Sequence, residues 1–145
     1  MKSILILVAF IALFCINCTN QLKQNQQMID NITLSERTRG TQRMYNISNE
    51  NMEIAINGEK SAYKVSHAEW SKIAEAASSI NLEEISAYKA PTTKRFSDAA
   101  LASTIKVKNK NKEFESVSFD EGNPPAELTK LYFEMKKLIK TKKSN

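Results

Sequence analysis

The residues of this 145-residue chain whose types and spacing could do chemistry are an arginine and a small set of carboxylates. Arg95 and Asp98 stand in Lys94-Arg95-Phe96-Ser97-Asp98, and Asp120 and Glu121 follow further on. Two carboxylates can divide acid and base work when a cleft holds them at a set separation, but no such separation can be read from this spacing. An arginine can instead pair with either carboxylate and close a polar network. The network reading ranks first, because buried polar groups need partners whether or not a ligand exists. Arg95, Asp98 and Asp120 are therefore the candidate polar network or ligand contact, and no residue is assigned a catalytic role. Asp120 also reads locally as a strand-to-helix joint. In Asp120-Glu121-Gly122-Asn123-Pro124-Pro125 its carboxylate can accept from an amide two residues on, and Gly122 can supply a positive φ.

Other chemistry has less support. Cys15-Ile16-Asn17-Cys18 has C-x-x-C spacing, but a redox pair needs a strand before it and a helix after it, and a structural zinc needs four ligands. His67 is the single histidine. It falls in the first turn of an expected helix, with no partner for a nucleophile. No Gly-rich phosphate loop is present, so neither a metal nor a cofactor is expected.

Cys18 has a different reading. Lys2 precedes a thirteen-residue apolar run, Ile4 to Ile16, which is short against the roughly 20 residues that span a bilayer. Residues 1–17 thus read as an export signal cleaved before Cys18, and Cys15-Ile16-Asn17-Cys18 resembles a lipobox, in which the cysteine becomes the diacylated first residue. The segment after it, Thr19-Asn20-Gln21-Leu22-Lys23-Gln24-Asn25-Gln26-Gln27, is too poor in apolar residues to repay its ordering entropy. Residues 18–32 are expected to be a polar tether, and residues 33–145 a single domain with a basic C-terminal tail.

The formal charge is +5, and removing Lys2 with the leader leaves +4 on the mature side chains. Much of the excess is Lys136, Lys137, Lys140, Lys142 and Lys143 at the C-terminus, where cations favour the negative end of a helix dipole. A nucleic-acid partner would want a basic face interleaved with base readers, so none is expected. Anionic lipid headgroups are the second reading for the tail.

Two helices and about five strands must position these residues. Ser66-His67-Ala68-Glu69 is a capping box flanked by Val65 and Trp70, and Trp70, Ile73, Ala74, Ala77 and Ile80 then recur at helical spacing. The second helix follows Asn123-Pro124-Pro125, with Leu128, Leu131, Tyr132, Met135, Leu138 and Ile139 as its stripe. Asn57-Gly58 turns one hairpin between Met52-Ile56 and Tyr63-Val65, after a strand near Thr41 to Ile47. Lys110-Asn111 turns a second, which opposes Lys108 to Glu113, Val107 to Phe114 and Lys106 to Glu115. Val117 and Phe119 then fall out of phase, which implies either a bulge near Ser116 or a sheet covered on both faces. The order βββαββα predicts an α+β fold, an antiparallel sheet with both helices packed on one face.

Three stretches carry a family resemblance: the capped helix with Trp70, the run Ala90-Pro91-Thr92-Thr93-Lys94-Arg95-Phe96-Ser97-Asp98-Ala99-Ala100, and Ser118-Phe119-Asp120-Glu121-Gly122-Asn123-Pro124-Pro125-Ala126-Glu127-Leu128. Over roughly Ser35 to Ile139 the chain resembles small predicted lipoproteins of Bacteroidetes. Those usually read Asp-Gly-Ala where Asp98-Ala99-Ala100 stands, and often carry His in place of Glu121. The resemblance implies location in the cell envelope, lipid-anchored on the periplasmic face or the cell surface, and no activity. The function expected is an envelope binding or structural accessory module that meets the membrane through its N-terminal lipid and an envelope protein or ligand through its domain. The alternative is a small envelope hydrolase or lyase using Asp98 and Asp120.

Overall fold

The structure, a computed structural model, describes residues 29–110 and 112–144. The leader, Cys15, Cys18, the tether through residue 28 and the hairpin residue Asn111 lie outside them.

Alternation of apolar and polar residues builds one antiparallel sheet. Its strands are β1 (Asn31–Arg37), β2 (Gln42–Ser48), β3 (Asn51–Ile56), β4 (Glu59–Lys64), β5 (Ala102–Asn109), β6 (Lys112–Glu115) and β7 (Phe119–Asp120). They are ordered β4-β3-β2-β1-β5-β6, with β7 also on β5. Register stacks the inward residues in rows: Met52, Ile47, Ile32 and Val107 form one, and Ile54, Tyr45, Leu34 and Ile105 the next. All eight are buried. The outward rows hold Glu53, Asn46, Thr33 and Lys106, then Ala55, Met44, Ser35 and Thr104.

Two helices cover the inward face. In α1 (His67–Ser78) the Ser66 hydroxyl accepts from the Glu69 amide at 3.3 Å, and the Glu69 carboxylate accepts from the Ser66 amide at 2.8 Å. Val65 and Trp70 are buried on either side, as a hydrophobic staple requires. Ala76 joins Ile73 and Ala77 in the core, while Ala74 is only partly buried. A 3-10 turn, Ala126–Leu128, leads into α2 (Thr129–Lys143), which buries Leu131, Tyr132, Met135, Leu138 and Ile139. Each large side chain moved from water into such a core contributes about 1.5 to 3 kcal/mol before entropy is counted.

The α+β class and the packing of both helices on one face agree with the sequence reading, but the sheet has seven strands where five were expected. The added strand, β1, lies at the centre, and the expected tether of residues 18–32 runs into it: Ile29 is buried and pairing begins at Asn31. Its alternation is obscured because the third inward residue after Ile32 and Leu34 is Glu36. The seventh strand arises because the segment Glu113 to Phe119 is broken into β6 and β7. Lys108, Val107 and Lys106 oppose Glu113, Phe114 and Glu115 as the spacing predicts. Ser116 still meets Ile105, its amide donating to the Ile105 carbonyl at 2.9 Å. Pairing then resumes at Ser103 with Phe119, so Thr104 alone faces both Val117 and Ser118. That extra residue is the bulge, and it turns Phe119 inward and Asp120 outward.

The sheet therefore has two distinct ends. Asn31, Ser48, Asn51, Lys64 and Lys108 mark the near end, where the described chain begins; Arg37, Gln42, Ile56, Glu59 and Ala102 mark the far end. Seven residues of β1 separate them by about 20 Å.

Candidate functional site

Asp120 is fully buried at the far end. Opposite Ala102 it points away from the helices, toward the 3-10 turn Lys94–Ser97, while Phe119 packs edge-on against Tyr132 with ring centroids 5.5 Å apart. The Lys94 amide donates to Asp120 Oδ2 at 2.7 Å, the Arg95 amide to Oδ1 at 2.9 Å, and the Arg95 guanidinium to Oδ1 at 3.1 Å. Burial alone would raise this carboxyl's pKa, but the Thr92 hydroxyl, the Arg95 amide and guanidinium and the Lys94 amide outweigh it and hold it well below the usual range. Thr92 Oγ1 is itself buried and makes no hydrogen bond of ordinary geometry. The arginine also donates to the Thr92 carbonyl at 2.6 Å, tying the chain that enters the turn to the same carboxylate.

Of the three residues singled out from sequence, the structure brings Arg95 and Asp120 together and leaves Asp98 apart. Asp98 is at the surface with φ +56° and pairs with Arg39 at 3.2 Å. The joint itself is longer-range than its spacing suggests. Gly122 has the expected positive φ of +82°, but the Asp120 carboxylate accepts from a loop some 25 residues away, and its carbonyl takes the Asn123 amide at 2.9 Å.

A second charged network adjoins the first across β7, and sequence reasoning missed it. Glu36 is fully buried on β1. Its Oε1 accepts from Lys136 at 2.7 Å and from the Tyr132 hydroxyl at 3.4 Å, while Arg43 stands 3.8 Å from Oε2. Glu121 completes the ring, 3.0 Å from Lys136 and 3.5 Å from Arg43. The Gly122 amide donates to Tyr132 Oη at 2.9 Å. Burial would lower the Lys136 pKa, but Glu36 and Glu121 overcome it and hold the ammonium above its ordinary range. Burial pushes the Tyr45 and Tyr132 phenols upward. In the sequence Lys136 looks like one more tail lysine. The available signal was its place on the buried stripe, one turn after Tyr132.

Beyond a hollow of about 140 Å3 between α1 and α2, over Ile73 and Leu138, the outward face of the sheet is also concave. Two hollows of about 390 and about 290 Å3 meet at Met44. The larger runs over Asn46, Glu53, Ala55, Lys60 and Ala62; the smaller over Ser35, Arg37, Gln42, Thr104 and Ser118. Met44 is 42% exposed between them, a flexible apolar group amid amides, hydroxyls and methyls, with charges of both signs, Glu53 and Lys60 in one hollow and Arg37, Arg43, Lys106 and Glu115 in the other. Such a lining suits reversible contact with a surface or an extended ligand. Among the described residues, no three His, Cys, Asp or Glu side chains are grouped as a metal ion would need, and no helix is long and apolar enough to cross a membrane.

No family model, curated protein or solved structure matches the chain.

Proposed function

We propose that this protein is a lipid-anchored binding module of the bacterial envelope, held at Cys18 and working through the outward face of its sheet around Met44. The observation that carries this reading is the contrast between that face and the charged groups. Asp120 and Glu36 are fully buried, Asp120 with both oxygens hydrogen-bonded and Glu36 held through Oε1 by Lys136 and Tyr132 while Oε2 faces Arg43 with no hydrogen bond. Both therefore serve to hold the far end together, whereas the Met44 face is hollowed and open to solvent. The hydrolase or lyase alternative needs Asp98 and Asp120 in one cleft. Their separate partners, Arg39 for one and Arg95 for the other, lend it no support.

Two experiments test the proposal. Metabolic labelling with a fatty-acid analogue should mark the parent and fail on Cys18→Ala; equal label in both would remove the anchor. Affinity capture from solubilised envelope should recover a partner with the parent that Met44→Glu no longer recovers at an unchanged melting temperature. Recovery of the same species at equal yield by Met44→Glu would remove the face from the account.

A further inference from the structure

We infer that the near end of the domain is a membrane-facing pole that rests on anionic lipid headgroups, formed by lysines from three separate parts of the chain. The fold alone brings them together. Asn31 opposes both Ser48 and Lys108, and Asn51 opposes Lys64, so Lys64 and the tip of the β5–β6 hairpin flank the point where the described chain begins. The entry is fixed there: the Asp30 amide donates to the Lys108 carbonyl at 2.9 Å, and Asp30 Oδ2 accepts from the Lys110 amide at 2.6 Å. The third contribution comes from α2, which runs antiparallel to α1. Lys130 pairs with Glu75 at 2.9 Å, and Lys142 reaches Glu69, in the first turn of α1, at 2.9 Å. Because the Val65 amide bonds the Glu50 carbonyl at 2.9 Å, the start of α1 belongs to the near end, and the C-terminal lysines arrive there with Lys142.

Not all of these cations are spent on the fold. Lys142 is held by Glu69 and Lys112 by Glu83. Among the described residues, Lys64, Lys108, Lys110, Lys140 and Lys143 are exposed or half-buried and meet no acidic side chain within ion-pair distance. The acids beside them are Asp30, Glu50 and Glu113; Asp30 already accepts from the Lys110 amide, and Glu113, opposite Lys108, is taken by Lys106 at 2.9 Å. The residues that precede Ile29 include Cys18, so on the anchored reading proposed above, the end with more free ammonium groups, these five against Lys60 and Lys94 at the far end, is the end that leads to the bilayer. Short-range attraction to an anionic surface is strong within a Debye length and would orient the domain with its far end outward.

The test uses the purified full chain reconstituted in vesicles of neutral lipid, or of the same lipid with about a third anionic glycerophospholipid, and reads lysine acetylation by mass spectrometry. Near-end lysines Lys64, Lys108, Lys110, Lys140 and Lys143 should label about fivefold more slowly on the anionic vesicles, and the protection should vanish near 1 M salt, where the Debye length is about 3 Å. The far-end lysines Lys60 and Lys94 should label alike on both. Equal near-end labelling on the two compositions would overturn the inference, as would equal protection of Lys60 and Lys94. The mass of the peptide containing Cys18 separates this inference from the anchor: protection without acylation keeps the pole and removes the lipid, and acylation without protection does the reverse.

Discussion

The two ends of the sheet use charge in opposite ways. At the far end Glu36 and Asp120 are fully buried and each is held by a cation and by hydrogen-bond donors. At the near end Lys108 and Lys110 lie exposed on a hairpin tip, with Lys140 and Lys143 at the end of α2. A buried charge that loses its partner destabilises a protein by several kcal/mol, while an exposed unpaired lysine contributes almost nothing to stability. Charge type alone therefore does not tell a structural group from a surface one: Lys136 and Lys140 lie on the same helix, and only Lys136 meets a buried carboxylate.

Substitutions at the two ends should separate these roles. The largest effects are expected at the far end. Lys136→Ala strands Glu36 without its nearest cation and should destabilise by about 3 to 5 kcal/mol in a denaturant melt. Asp120→Ala leaves two amides without an acceptor and the Arg95 guanidinium without its counter-charge, and should fall in the same range of about 3 to 5 kcal/mol. Asp120→Asn keeps an acceptor and should lose only about 1 to 3 kcal/mol. Loss of less than 1 kcal/mol in both Ala variants would show that these networks are not what holds the far end. The Asp120 carboxyl is depressed in the folded state, so its contribution is present above its unfolded pKa, near 4, and fades as pH falls below that.

An intermediate effect is expected at Glu69, which links the α1 cap to the last turn of α2. The Ser66 amide and Lys142 hold its pKa down to about 2. Its stabilisation should therefore be complete above pH about 4.5 and lost as pH falls toward 2. Glu69→Gln should cost about 1 kcal/mol at neutral pH and flatten that part of the acid titration. An unchanged acid limb in thermal melts would show that the box contributes nothing. The smallest effect belongs to the near end. Lys108→Glu with Lys110→Glu should move stability by no more than about 0.5 kcal/mol. A larger loss would mean that these lysines, like Lys136, serve the fold.

Most of the framework was legible because its signals are local. The Ser66 and Glu69 capping box, the Asn57-Gly58 turn and the charge pairs about Lys110 each set a geometry from a few adjacent residues. Even the bulge after Ser116 could be read from parity, since Val117 and Phe119 fall out of phase with Phe114. The central strand was not legible, because Glu36 interrupts the apolar alternation and its partner lies 100 residues away. The candidate site shows the same division. Arg95 and Asp120 meet as their types suggest, but Asp98, three residues from Arg95, turns outward to Arg39 on the β1–β2 turn. Spacing along the chain cannot settle which of two carboxylates an arginine will face.

The central claim is that the outward face around Met44 is the working surface of an anchored module, and site-specific photo-crosslinking in intact cells tests it most directly. A photoreactive amino acid at position 44 is compared with one at position 133, where Phe133 is 51% exposed on α2. A discrete cross-linked species is expected from position 44, absent from position 133 and competed away by the unmodified protein. Cross-linking from position 133 with none from position 44 would contradict it and move the working surface to the helical face.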